Sequence, residues 1–339
     1  MTPVSHPPQR LGIAGLGTVG KALARALDGG QLPGFALEAV TARDASAAGQ
    51  WMGEHLSRPV DCVDFEALAE RCDWVVECAP SKLLRAIGEP ALRRGRRLVV
   101  LSAGALLDAP ELIDLAREHG GQIVVPSGAL LGLDAVSAAR EGTIHAVTLI
   151  TRKPIAGLLG APLLLEQGID ISGIKEPLRL YAGDARGAVR GFPANVNVSV
   201  ALSLAGIGPD RTQVEVWADP TVTRNTHSIR VDADSASFSM TIENVPSENP
   251  KTGRITALSL IACLRKMHAP LRVGPETGCG GYAQRRGLKN ALISSTSRSG
   301  CSSAAKWPPR GASVQRRMSV KTRSATERGG RRISLGDCR

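Results

Sequence analysis

The chain has 339 residues, enough for two domains with cores of their own. Hydrophobic residues make up 43% of it but aromatic residues only 3%, so Ala, Val, Leu and Ile must build those cores. Its apolar runs are strand-sized and far shorter than the roughly 20 residues that cross a bilayer, which argues against a membrane protein.

Seven cysteines are scattered along the chain, and none forms a C-x-x-C pair. This usage argues against a disulfide framework and against a zinc site, so no metal is expected. The first ten residues also lack the apolar core of a signal peptide. Together these features predict a cytoplasmic protein.

The net charge of +11 is confined to one end of the sequence. From Pro275 onward there are 14 Lys and Arg against 3 Asp and Glu, so residues 1–274 contain 28 of each kind and are formally neutral. Residues 275–339 are rich in Arg, Ser and Gly without periodicity, which predicts a disordered, low-complexity basic tail. Nucleic-acid binding by this tail is the less favoured interpretation, because aromatic residues hardly interrupt it.

Up to residue 126, short apolar strands alternate with helical segments. A strand that runs into a glycine turn is predicted over 11–17. Further strands are predicted over 35–42, 73–79, 97–102 and 122–126, and helices over 21–27, 83–94 and 110–119. This alternation is typical of a parallel sheet with helices on both faces. It predicts a doubly wound α/β domain of the Rossmann type over residues 1–133.

Beyond residue 134 the pattern changes to alternating and β-branched segments, which predict a second, α+β domain with a mixed or antiparallel sheet over 134–249. Its strands are expected over 146–152, 214–218, 228–231 and 237–243, and a helix over 197–205. A last helix, roughly over 254–266 within the segment 250–272, is expected to return to the first domain and complete it.

The sequence Gly15-Leu16-Gly17-Thr18-Val19-Gly20 lies between the first strand and the first helix, as a dinucleotide-binding loop must. Gly15 allows the tight turn, Gly17 lets the backbone approach a pyrophosphate, and Gly20 lets helix and strand pack closely. The helix N-terminus at Thr18 and Val19 supplies amide groups and a favourable dipole. The alternative is a glycine turn with a structural role only.

The end of the second predicted strand bears on the choice between NAD and NADP. An acidic residue there binds the ribose 2′-hydroxyl of NAD, whereas Arg suits the 2′-phosphate of NADP. The sequence has Arg43 at this point, and Asp44 one position late. Arg43 favours NADP or the use of both cofactors, but it could equally be a solvated surface residue.

Several segments of the second half have unusual polar content, and they follow one another in a characteristic order and spacing. They are Ser127-Gly128-Ala129, Thr151-Arg152-Lys153-Pro154, Pro193–Val198, Ala201–Gly206 with Asp210-Arg211-Thr212, Ala218-Asp219-Pro220, Asn225-Thr226-His227 and Pro246–Thr252. Over residues 10–274 this set resembles the L-aspartate dehydrogenase family. The resemblance implies oxidation of L-aspartate to iminoaspartate, or to oxaloacetate and ammonia after hydrolysis, with NAD or NADP as hydride acceptor. It also implies a homodimer and a role in NAD biosynthesis.

The resemblance also implies roles for individual residues. It makes His227 of the Asn-x-His motif the catalytic residue, and a histidine that titrates near neutrality suits the proton transfers of this reaction. A surface histidine on a strand is the alternative. Ala129 and Asn197 match positions that contact NAD, although Asn197 could instead cap its helix.

The two carboxylates of L-aspartate require cations in the pocket. The basic candidates are Arg152, Lys153 and Lys251, each of which could instead be an exposed charge. Two other functions stay open at this level. One is a related dehydrogenase or reductase of another amino-acid intermediate, and the other is a non-catalytic dinucleotide-binding protein whose tail binds nucleic acid.

Overall fold

The computed structural model describes residues 7–193, 196–247 and 253–274. The basic tail predicted over 275–339 lies outside the described residues, and so do Asn195 and Lys251. Within the described ranges, every helix is too short or too polar to cross a membrane.

The first half of the chain forms a six-stranded sheet. Its strands are β1 (Gln9–Ala14), β2 (Phe35–Thr41), β3 (Asp61–Cys62), β4 (Trp74–Glu77), β5 (Arg97–Val100) and β6 (Gln122–Val124). They are all parallel and lie in the order β3-β2-β1-β4-β5-β6. This order confirms the Rossmann-type prediction, and it places a crevice at the carboxyl ends of β1 and β4, where the strand order reverses.

Helices cover both faces of this sheet. They are α1 (Thr18–Asp28), α2 (Ala45–His55), α3 (Phe65–Arg71), α4 (Leu84–Arg93) and α5 (Glu111–Glu118). Leu23 of α1 belongs to the apolar cluster on one face, and Leu68 of α3 with Ile87 of α4 to the cluster on the other. Two separate cores therefore enclose the parallel sheet, which explains why its strands are apolar on both sides.

The second half forms a five-stranded mixed sheet. Its strands are β7 (Ile144–Lys153), β8 (Leu178–Asp184), β9 (Gln213–Ala218), β10 (Asn225–Ala233) and β11 (Ser237–Asn244), in the order β11-β10-β7-β9-β8. Strands β7 and β9 are parallel, and the other neighbouring pairs are antiparallel. The mixed sheet predicted for the second domain is thus confirmed.

Four helices accompany this second sheet: α6 (Leu133–Ala139), α7 (Pro162–Gln167), α8 (Ala185–Gly191) and α9 (Asn197–Ala205). Val136 of α6 and Val200 of α9 pack in one apolar cluster with Val147 of β7 and Ile229 of β10. The core of the second half therefore lies between these helices and one face of the sheet.

The last helix, α10 (Arg254–His268), packs on the first half of the chain. Its Leu260 and Leu264 are fully buried in the same apolar cluster as Leu23 of α1. It begins at the predicted residue, Arg254, and extends two residues beyond the predicted end at Lys266. It ends before Ala269, which adopts an extended conformation, as expected of a residue that precedes a proline.

Candidate active site

A cleft of about 450 Å³ opens at the carboxyl edge of the parallel sheet. One wall comes from the Gly loop at Gly17–Val19 and from the segments that follow β4 and β5. The opposite wall comes from the second sheet, which contributes Lys153, His227 and Asn244 among others. A cleft at this edge is where a doubly wound sheet binds its ligand.

The Gly loop has the geometry that a dinucleotide requires. Gly15 has a φ of +109°, and a Cβ there would lie 2.7 Å from the carbonyl oxygen of Cys78. A Cβ at Gly20 would collide with the carbonyl oxygen of Gly15, whereas one at Gly17 would meet open space. The loop thus packs tightly at both ends and exposes its middle to the cleft.

Helix α1 begins at Thr18, with Gly17 as its N-cap residue. Since glycine has no side chain with which to cap the helix, the first amides of α1 are available to a ligand. A phosphate group is the natural partner of such a helix start. Thr18 and Val19 line the cleft, whereas Gly15 and Gly20 lie behind its wall.

Glu77, the last residue of β4, ties two loops of the cleft together. Its carboxylate is fully buried and accepts hydrogen bonds from the amides of Ala79 (3.1 Å), Leu101 (3.1 Å) and Ser102 (2.9 Å), and from the Ser102 hydroxyl (3.1 Å). Burial raises the pKa of Glu77, and these hydrogen bonds oppose that rise. Glu77 was not predicted to have a role, although a glutamate that ends an apolar strand is a usable signal.

His227 lies on β10 and is only 2% exposed. Thr151 of β7 is its cross-strand partner, and the Thr151 Oγ1 atom lies 3.0 Å from His227 Nδ1. Burial and the neighbouring Lys153 ammonium lower the pKa of His227 to about 3. The imidazole is therefore neutral near pH 7, and Nε2 is the ring nitrogen left for a ligand.

Lys153 and Arg152 are neighbours in β7 but lie on opposite faces of the sheet. Lys153 is 3% exposed and lines the cleft, and burial lowers its pKa to about 8. Arg152 does not line the cleft; it forms a 3.0 Å salt bridge with Asp219 and lies over the Trp217 ring. Of the two adjacent cations, the structure brings only Lys153 to His227.

Asn197 and Ala129, the two positions expected to contact NAD, both line the cleft. The Asn197 side chain does not cap its own helix; its Oδ1 accepts a hydrogen bond from the Gly104 amide at 3.0 Å. The Ala129 carbonyl accepts one from Asn244 Nδ2 at 3.0 Å. Asn244 was missed at the sequence level, although a polar residue on the buried side of an alternating strand was its signal.

Arg43 is exposed just after β2 and is not part of the cleft wall. Its neighbour Asp44 has a structural role, because its carboxylate caps α2 by accepting a hydrogen bond from the Ala47 amide at 2.9 Å. Lys251, the third cationic candidate, lies outside the described residues.

Comparisons with known proteins agree with this architecture. The NAD-binding domain of homoserine dehydrogenase matches as a family over residues 15–126, and the C-terminal domain of aspartate dehydrogenase over residues 134–267. The L-aspartate dehydrogenase of Bradyrhizobium diazoefficiens is 60% identical over 265 residues, which are 78% of this chain and 94% of the relative. L-aspartate dehydrogenase 3 of Bordetella bronchiseptica is 58% identical over 262 residues, 77% of this chain and 96% of the relative.

Among solved structures, aspartate dehydrogenase from Thermotoga maritima has the same fold, with a TM-score of 0.60 at 22% sequence identity. The match covers 79% of this chain and 100% of that one. With relatives of such high identity over nearly their whole length, the chain belongs to the L-aspartate dehydrogenase family.

Proposed function

We propose that this protein oxidises L-aspartate to iminoaspartate, with NAD or NADP as the hydride acceptor. The observation that carries the proposal is the setting of His227, which is buried, bound to Thr151 and close to Lys153. It shares one cleft with the Gly loop. L-Aspartate offers carboxylates to a cation and an amine to a neutral base, so its chemistry matches this setting.

The nicotinamide cofactor, when bound, takes the hydride from the α-carbon of the substrate. The residues of the chain hold the substrate and move the proton. His227 accepts a proton from the amine through Nε2 as the carbon–nitrogen double bond forms, and Thr151 keeps the ring in position. Lys153 binds a substrate carboxylate in a site shielded from water, where such a contact is strong.

Substrate binding changes the electrostatics of this pair. The carboxylates of L-aspartate bring negative charge next to His227 and Lys153, and nearby negative charge raises the pKa of both groups. Lys153 is thereby held in its charged form, and His227 becomes a better proton acceptor. The same histidine then serves the hydrolysis of iminoaspartate to oxaloacetate and ammonia.

The protein uses NADP as well as NAD in this proposal. Asp44, the acidic residue nearest the end of β2, is engaged in capping α2. Arg43 precedes it, with an exposed guanidinium at the strand end where the 2′-phosphate of NADP is recognised in this fold. The exposed position of Arg43 supports this preference.

A homodimer is proposed as well. The second sheet packs one face on helices, while outward residues of β7 and β10 such as Ile150 and Ser228 keep part of their surface exposed. Light scattering on the purified protein measures the mass in solution. Twice the mass of one chain is expected, and the mass of a single chain would contradict the proposal.

Steady-state kinetics test the proposed reaction. NADH or NADPH formation is measured with L-aspartate, L-glutamate, L-alanine and L-homoserine, on the full chain and on a chain that ends at residue 274. L-Aspartate should be the preferred substrate of both. Turnover of another amino acid without turnover of L-aspartate would contradict the proposal. If the truncated chain keeps its turnover but loses binding to nucleic acid, the tail has a separate role.

A further inference from the structure

Asn244, the last residue of β11, faces the cleft with a fixed amide orientation. It is 2% exposed and pairs across the sheet with Asn225 of β10. Its Nδ2 donates a hydrogen bond to the Ala129 carbonyl at 3.0 Å. The reverse orientation would place two acceptor oxygens against each other, so this contact determines which way the amide points.

The Oδ1 atom of Asn244 is buried and has no hydrogen-bond partner among the described residues. Buried acceptors are nearly always satisfied in folded proteins, so an unsatisfied one beside a cleft points to a ligand that donates. Gly253 keeps the adjacent space open, because a Cβ there would lie 3.2 Å from the Asn244 Cβ and 3.6 Å from Oδ1.

Two other acceptor side chains described in the cleft wall are already engaged. The Glu77 carboxylate accepts four hydrogen bonds, and Asn197 Oδ1 accepts one from Gly104. Lys153 is a donor. In a dicarboxylate that also has an amine, the carboxylates accept hydrogen bonds from Lys153. The amine is the group that supplies N–H donors.

We propose that Asn244 Oδ1 binds the α-amino group of the substrate, and that this contact distinguishes amino acids from dicarboxylates without an amine. The inference rests on the proposed oxidation of L-aspartate. By accepting a hydrogen bond from one N–H group of the amine, Asn244 orients the nitrogen so that another of its protons faces His227. The carboxamide of nicotinamide also carries N–H donors, so the test must separate these two sources.

Asn244→Ala removes the acceptor. The measured quantities are kcat/KM for L-aspartate, the inhibition constant of succinate, which has both carboxylates but no amine, and the dissociation constant of NADH. Loss of a hydrogen bond to a charged amine should lower kcat/KM for L-aspartate about tenfold or more, with the other two constants within about twofold of the wild type. The proposal would be overturned if kcat/KM for L-aspartate and the affinity for succinate fell by the same factor. It would also be overturned if only the affinity for NADH fell.

Asn244→Asp separates the acceptor from the contact with Ala129, since it keeps an oxygen but loses the Nδ2 donor. The new carboxylate repels both dicarboxylates alike, so the preference for L-aspartate over succinate should persist. If this preference falls as far as in Asn244→Ala, Asn244 acts only through Ala129 and the proposal is wrong. Glu243→Ala is the matched control, because Glu243 is the exposed preceding residue of the same strand.

The wild-type protein distinguishes failure of this inference from failure of the proposed function. If it does not turn over L-aspartate at all, the proposed function is wrong. If the wild-type protein turns over L-aspartate, and Asn244→Ala prefers L-aspartate to succinate as strongly as the wild type does, only the proposed role of Asn244 is wrong.

Discussion

His227 combines two properties that a proton acceptor needs, a neutral ring and a fixed orientation. Replacing it by alanine should lower kcat for L-aspartate by about 10²- to 10⁴-fold, the usual contribution of a positioned general base. The dissociation constant of NADH should stay unchanged, because the pyrophosphate of the cofactor is expected at the Gly loop, on the other wall of the cleft. Stopped-flow single turnovers and fluorescence titration measure the two quantities.

His145→Ala provides the control for that prediction, since His145 is an exposed histidine on the same sheet. It should retain wild-type turnover. Near-normal turnover of His227→Ala itself would remove this histidine from the mechanism.

Lys153 makes binding of a dicarboxylate dependent on pH. Its pKa is lowered to about 8, so it loses its positive charge as the pH rises through that value. The inhibition constant of succinate should therefore increase above about pH 8, whereas the carboxylates of succinate stay ionised. A bound dicarboxylate raises the pKa of Lys153. The inhibition constant should therefore begin to increase at the lower pKa, which is that of the free protein.

Lys153→Arg tests the source of this pH dependence, because arginine keeps its charge throughout the range. The variant should show a flat profile between about pH 6.5 and 9.5. A wild-type profile that is already flat would show that Lys153 does not bind the carboxylate.

Arg43 permits a test of cofactor choice. Arg43→Gln removes the guanidinium from the end of β2 and should raise KM for NADP about tenfold or more, while KM for NAD stays within about twofold. Arg58→Gln, another exposed arginine of the first half, is the control. Equal effects on both cofactors would contradict recognition of the 2′-phosphate by Arg43.

At the scale of single elements, the Gly loop separates stability from binding. Gly20→Ala forces a Cβ against the Gly15 carbonyl and should reduce the free energy of unfolding by about 1–3 kcal/mol. Gly17→Ala places its methyl in open space on the cleft side and should leave stability unchanged while it raises KM for the cofactor. Thermal denaturation and cofactor titration of both variants check this contrast, and a stable Gly20→Ala variant would contradict it.

The elements that were predictable from the sequence are those with a strong apolar pattern. Strands β1, β4 and β5 are buried runs, and α1 has one continuous apolar face. Helix α2 was missed because only Ala48 and Met52 of its 11 residues are buried, which leaves no clear periodicity. Strand β3 has only two residues, too few to form a pattern.

The candidate site shows the same limit at strand β7. Both Arg152 and Lys153 were candidates, and the strand was predicted to end at Arg152. The strand extends to Lys153, and its alternation then directs the two side chains to opposite faces. The contact of Asn244 was unpredictable for another reason, since its partner Ala129 is 115 residues away in the sequence.

At the scale of the whole molecule, the charge of the sequence and the chemistry of the site belong to different parts of the chain. The cleft is lined by residues between Gly17 and Thr256, within the formally neutral part. A chain that ends at residue 274 should therefore keep the kcat/KM of the full chain. A marked loss upon truncation would show that residues 275–339 contribute to turnover.

The return of α10 to the first core has a mechanical consequence. It makes the second sheet an insertion whose two ends both lead to the first core. A relative rotation of the two sheets must therefore be accommodated at both ends of the insertion at once. Ala129 precedes the second sheet in the chain and Asn244 is the last residue of β11, and their hydrogen bond joins the two ends. A substrate that binds Asn244 would therefore contact the insertion where its two ends are tied together.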